Sequence, residues 1–168
     1  MKQYVEYFKY VLEHKKNVFI EMWNEERYSY EKRMIWYGLS HDLSKFSILE
    51  FKAYANWFHS KDGIKNKNND IVKLAMKQDF EKAWQHHKDK NKHHWNYWYE
   101  RKLYMPYKYV RQMLIDWNAM SRKFGGSTEE YYLKNYDNIK FTNDGLIDGV
   151  RDYLELRLGV DTRTKQMK

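Results

Sequence analysis

An all-α bundle of about six to eight helices is the fold class this sequence predicts, and three observations predict it. Apolar residues recur at the three- and four-residue spacing of helix faces, with no sustained period-two alternation. The chain carries one proline and seven glycines, so breakers are few. Two capping signatures, Ser47 with Glu50 and Ser127 with Glu130, mark helix starts.

The elements follow in order. A first helix is expected over roughly 3–24, with Tyr7, Val11, Val18 and Met22 along one stripe, and a second over roughly 29–45, carrying Met34, Ile35 and Leu39. Ser47 caps a third helix running to about Phe58, and the polar run HSKDGIKNKNND reads as a loop. Asn69 caps a helix over about 70–88 that ends in KDKNK, and HHWNYWYERK reads as a further helical segment. Pro106 suits the first turn of a helix reaching about Lys123. Gly125 and Gly126 break the chain, Ser127 caps the next helix, and Thr142 caps a last one ending near Gly159. The tail DTRTKQMK reads as frayed. With 168 residues and no internal repeat or linker, the chain is read as one domain over 1–168.

Composition narrows the chemistry. The absence of cysteine removes thiolate nucleophiles, iron–sulfur clusters and cysteine-ligated zinc, so any metal must sit on His, Asp or Glu. No stretch approaches the ~20 apolar residues that span a bilayer, and MKQYVEYFKYVLEHKK lacks the apolar core of a signal peptide. A cytoplasmic protein without membrane contact is expected. The net charge of +8, from 31 Lys+Arg against 23 Asp+Glu, favours anionic partners. The lysines are spread along every segment, however, as on an ordinary solvated surface. Sixteen tyrosines and seven tryptophans mostly recur at helical spacing, which points to core, although such rings also stack on bases.

The candidate site residues are polar groups in apolar stripes. His14 continues the Tyr7, Val11, Val18 stripe and so faces inward. Asp116 does the same with Tyr109, Met113 and Met120, and an inward carboxylate requires a cation, a donor or a metal. The stretch GLSHDLSKF sets His41 beside Asp42, with Lys45 one turn beyond. His86 and His87 end the fourth helix, and His93 and His94 follow, leaving only His59 in a loop. Each histidine alone has an ordinary role open to it, as a hydrogen-bonded core residue or a helix cap. Together, on four helical segments, they favour a site.

Nitrogen and carboxylate ligands without sulfur suit one or two divalent ions, manganese, iron, cobalt, nickel or zinc ahead of magnesium. A His–Asp dyad supplies a nitrogen and a carboxylate able to bridge two ions. Two ions about 3.5–4 Å apart would generate a hydroxide nucleophile and clamp phosphoryl oxygens. Lys45 could then neutralise a phosphate oxygen.

The order His14, His41–Asp42, paired histidines at 86/87 and 93/94, then Asp116 resembles the HD superfamily of metal-dependent phosphohydrolases, over about residues 10–120. HDLSK looks like the HDxxK form found in many members. A nearer likeness is to an uncharacterised family of small phage and bacterial proteins, carried by HDLSKFS, by Ala83 to Trp95 and by Met105 to Trp117. That likeness names no reaction. The HD resemblance implies an HD-like helical domain in which His14, His41, Asp42 and Asp116 are the core metal ligands. It makes His87 and His94 the leading choices for a second metal, with His86 and His93 close behind. Asp42 would bridge or orient the water, Lys45 would contact phosphate, and Arg111 would add a second phosphate contact. The chain lacks the GYP motif of signalling members, having KDKNKHHW after the first histidine pair.

Two functions of different class follow. The first is a phosphohydrolase acting on a small anionic nucleotide, as a monoesterase or as a phosphodiesterase on a cyclic or oligonucleotide signal, in the host cytoplasm if phage-encoded. The alternative is a non-catalytic nucleotide or nucleic-acid binding module with a structural His/Asp metal site, closed to water where a catalytic site stays open. Nonspecific nucleic-acid binding through the basic surface is less favoured, and self-association into a homo-oligomer stays open.

Overall fold

The computed structural model describes residues 1–26, 34–60, 70–142, 149–164 and 166–167. Among them the chain forms eight α-helices and one two-residue strand pair, so the molecule is all-α. The helices are α1 (Lys2–Glu26), α2 (Met34–Ser40), α3 (Ile48–His59), α4 (Asp70–Lys90), α5 (Trp95–Glu100), α6 (Tyr107–Phe124), α7 (Thr128–Asn135) and α8 (Val150–Leu158).

The long α1 is the organising element, packing against α2, α3 and α6, while α3 also packs on α4. Its stripe of Tyr7, Val11, Val18 and Met22 is fully buried, as the helical spacing requires. Tyr7 and Val11 meet Ala53, Tyr54 and Ala55 of α3 and Ala83 of α4. Val18 and Met22 meet Ile115 and Ala119 of α6. A second layer gathers Val110, Met113 and Leu114 of α6 with Tyr132, Ile139, Val150 and Leu154. The helix α6 is therefore a shared wall between two apolar cores.

Several boundaries differ from expectation for local reasons. The second helix stops at Ser40, before the His–Asp pair, and a 3-10 turn follows over Leu43–Phe46. Asp42 takes the left-handed conformation, φ 54° and ψ 26°, which no helix interior accepts and which Asp tolerates better than most residues. The fifth helix begins at Trp95 rather than at the histidine pair, with His94 at its N-cap and His93 in the preceding turn. The last helix starts at Val150 behind Gly149. Residues 29–33 of the expected second helix, most of the 59–70 loop with Asn69, and 143–148 after Thr142 fall outside the described residues. So do the side chains of Met34 and Ile35.

The tail is not frayed where it is described. Val160–Asp161 (β1) pairs antiparallel with Gln166–Met167 (β2), and Val160 is buried in the second core. Asp161 secures the turn by accepting from the backbone and guanidinium of Arg163.

Of the two capping signatures, Ser127 and Glu130 form the reciprocal box. At Ser47 only half forms: its hydroxyl accepts from Glu50 N, while the Glu50 side chain turns inward to the histidines.

Candidate metal centre

Five segments deliver the site. His14 comes from the middle of α1, His41 and Asp42 from the turn after α2, His87 from the last turn of α4, His93 and His94 from the turn into α5, and Asp116 from α6. The left-handed backbone at Asp42 lets two sequence neighbours aim at one centre. A helix would have set their side chains about 100° apart.

These residues form two groups that could each hold a metal ion. His14, His41, Asp42 and Asp116 make one, and Asp42, His87, His93 and His94 the other, with Asp42 common to both. In the first group His14 Nε2 lies 3.2 Å from His41 Nε2, 3.4 Å from Asp42 Oδ2 and 3.1 Å from Asp116 Oδ1. His41 Nε2 lies 3.3 Å from each of the same carboxylate oxygens. Such separations are those of neighbouring ligands around one ion bound at about 2.0–2.2 Å. In the second group Asp42 Oδ1 stands 3.5 Å from His87 Nε2 and 3.6 Å from His93 Nε2.

The donor set fits a divalent cation on a further ground. Asp42 Oδ1, His93 Nε2 and His94 Nε2 are buried and make no hydrogen bond. Buried polar atoms are rarely left so, and three lone-pair donors converging within one group are satisfied together by a cation.

Electrostatics favour positive charge at the first group. Burial opposes charge on His41, but Asp42 and Asp116 override it and raise the imidazole to about 9. Burial also works against the Asp42 carboxylate, yet His41 and Lys45 hold it well below the usual range, and hydrogen bonds from His14 and His41 do the same for Asp116. In the second group burial first, then neighbouring imidazoles, push His93 well below the ordinary histidine value and His94 to about 3. Both are therefore neutral near pH 7, the state in which imidazole binds metal.

The outer nitrogens of two imidazoles are anchored. His41 Nδ1 lies 2.7 Å from the Tyr37 hydroxyl, which itself donates to the Gln112 carbonyl, so Nδ1–H donates and Nε2 is the nitrogen left facing the carboxylates of the first group. His87 Nδ1–H donates to Glu50 Oε2 at 2.9 Å, and His86 Nδ1–H to Glu50 Oε1 at 2.6 Å. Burial opposes the Glu50 charge, and these bonds hold its carboxyl below the usual value. Lys45 Nζ sits 2.6 Å from Asp42 Oδ2, and that carboxylate raises the Lys45 pKa despite burial.

Two of the sequence candidates lie elsewhere. His86 is in neither group; it is part-exposed and bound to Glu50, on the outer side of that carboxylate. Arg111 has its guanidinium 3.4 Å from Glu25 and lines no part of the cleft beside the metal groups. His59 faces Glu6 at 3.8 Å. Sequence reading missed Glu50 and Tyr37. Glu50 matched a cap signature, and Tyr37 lies four residues before His41, a spacing that could have paired them.

Beside the centre opens a cleft of about 520 Å³, reached by His94 and Asp116 and walled by Trp84, Trp95, Trp117 and Tyr131.

The fold and site define an all-helical protein with a buried His/Asp cluster that could bind metal. The chain belongs to DUF5662, a family of unknown function, whose model matches residues 3–155. It matches no curated protein and no solved structure. No helix among the described residues is long and apolar enough to cross a membrane.

Proposed function

We propose that the protein is a metal-dependent phosphohydrolase acting on a nucleotide, whether a monoester, a cyclic diester or an oligonucleotide, as its likeness to the HD superfamily implies. The observation that carries the reading is Asp42, one carboxylate common to two nitrogen-rich ligand groups. Bound divalent ions at such a pair supply water activation and charge neutralisation on a phosphoryl group.

The chain's own residues do the rest. His14, His41 and Asp116 would hold the first ion and His87, His93 and His94 the second, with Asp42 spanning both. Lys45 keeps its charge against Asp42 and has further N–H donors for a phosphoryl oxygen. Asp116, 13% exposed, lies on the cleft with the partly buried His94, and together they give substrate a route to the centre. The sulfur-free donors favour manganese, iron, cobalt, nickel or zinc over magnesium. The proposed setting is the cytoplasm, of a phage host if the phage likeness holds.

The test is metal content of the purified protein by elemental analysis, paired with phosphate release from a nucleotide panel with and without manganese. One or two ions per chain, with release that depends on metal and is lost in Asp42→Asn, supports the reading. No metal and no turnover in folded protein would favour the non-catalytic binding module instead.

A further inference from the structure

The cleft beside the metal groups has a composition that the net charge does not foretell. Five aromatic side chains from four helices wall it, Trp84 from α4, Trp95 from α5, Trp117 and Phe124 from α6 and Tyr131 from α7. Asn96, Ser121 and Ser127 supply polar groups, and among the described residues no lysine or arginine lines it, although the chain has 31 of them. Two cations stand next to the centre, Lys45, engaged with Asp42, and Lys15, which donates to the Leu39 and His41 carbonyls.

Charge balance then limits the ligand. Two divalent ions would bring four positive charges to the site, and Asp42 and Asp116 would cancel two. Lys45 and Lys15 add two and the Glu50 carboxylate against His87 removes one. The surplus of about three covers one phosphate monoester, which carries about two negative charges at neutral pH. A polyphosphate chain would leave its further charges facing tryptophan and methionine rather than cations.

Resting on the phosphohydrolase reading, we propose that the cleft selects a phosphate monoester carried by a flat aromatic ring, a nucleoside monophosphate rather than a triphosphate, with Tyr131 and the tryptophans stacking on the ring. Stacking of this kind contributes about 1–3 kcal/mol per base, roughly 5- to 150-fold in affinity. Tyr131 is the wall to remove, because it is 44% exposed and its loss opens no core.

The experiment uses the full chain and follows tryptophan fluorescence on titration with adenosine and uridine, their 5′-monophosphates and triphosphates, and inorganic phosphate. It is run on manganese-loaded and on chelator-treated protein. The better monophosphate should bind at least tenfold more tightly than both inorganic phosphate and its triphosphate, and its nucleoside should still quench fluorescence after chelation. Tyr131→Ala should weaken nucleoside and monophosphate at least fivefold and leave inorganic phosphate unchanged, while Tyr131→Phe restores binding. A triphosphate bound as tightly as the monophosphate, or phosphate weakened equally by Tyr131→Ala, overturns the proposal. Ring-dependent binding without phosphate release would keep the cleft assignment and sink the hydrolase. Release from glycerol phosphate as fast as from the best nucleotide would do the reverse.

Discussion

Glu50 Oε2 lies 2.9 Å from His87 Nδ1, the nearest of three polar groups at that nitrogen, with Asn91 Nδ2 at 3.1 Å and Ser44 Oγ at 3.3 Å. With Nδ1–H given to the carboxylate, Nε2 carries the lone pair toward the second group.

Glu50→Gln tests that contact. The amide keeps the volume of a fully buried side chain but not the charge that binds His86 and His87. The variant should fold and lose about 10- to 100-fold in affinity for one ion, as other outer partners of metal-bound histidines do. Competition against a chelating dye would read this, and unchanged affinity would show that Glu50 serves packing alone.

Asp42→Asn separates a shared ligand from private ones. Asn accepts the left-handed backbone and nearly the same shape, so the turn should survive. Elemental analysis should find both ions lost from Asp42→Asn, but only one lost from His14→Ala or from His93→Ala. Equal stoichiometry in all three variants would mean that the two groups do not share Asp42.

Acid and alkali should each weaken the chelator-treated protein. His93 and His94 are depressed in the folded state, His94 to about 3, so the unfolded chain binds more protons below the ordinary histidine value of 6.5. Their contribution is present above about 6.5 and is lost as pH falls toward 3. His41, raised to about 9, has the opposite sign: its contribution is full below about 6.5 and is lost as pH rises through 9. Thermal midpoints should therefore peak between slight acidity and neutrality. A flat profile from about pH 4.5 to 8.5 would contradict this balance.

Gly38 sits on α2 where a Cβ would meet Met22 Cε at 2.5 Å and Sδ at 2.9 Å. Alanine needs only a swing of the thioether tail and adds helix propensity, so its net effect should be small. Gly38→Val overfills the α1–α2 contact and should cost about 1–3 kcal/mol in urea denaturation. Wild-type stability in the valine variant would show slack that the packing does not display.

The inward placement of His14 was legible because an unbroken stripe from Tyr7 to Val18 fixes the helix phase. Which histidine of 86 and 87 turns inward was not, since one residue on a helix shifts direction by about 100°. The pair at 93 and 94 lies in a turn, where no periodicity operates, and both residues enter the second group. Glu50 was hidden by a local rule that it half obeys: its backbone N–H donates to the Ser47 cap, and only the tertiary fold reveals where its carboxylate goes. The early end of α2 rests on the backbone of Asp42, which composition does not announce.

The two cores meeting on α6 divide the molecule's labour. Ile115 and Ala119 seat the helix on α1, which bears a metal-group histidine, while Val110, Met113 and Leu114 seat it on the layer that includes Tyr132 and Ile139. Asp116 thus stands at a seam, with Tyr131 projecting from the far layer. Under the proposed function, selectivity and reactivity would be modular: a library randomised at exposed positions of α7 should redraw ligand preference while the bound-metal count stays constant.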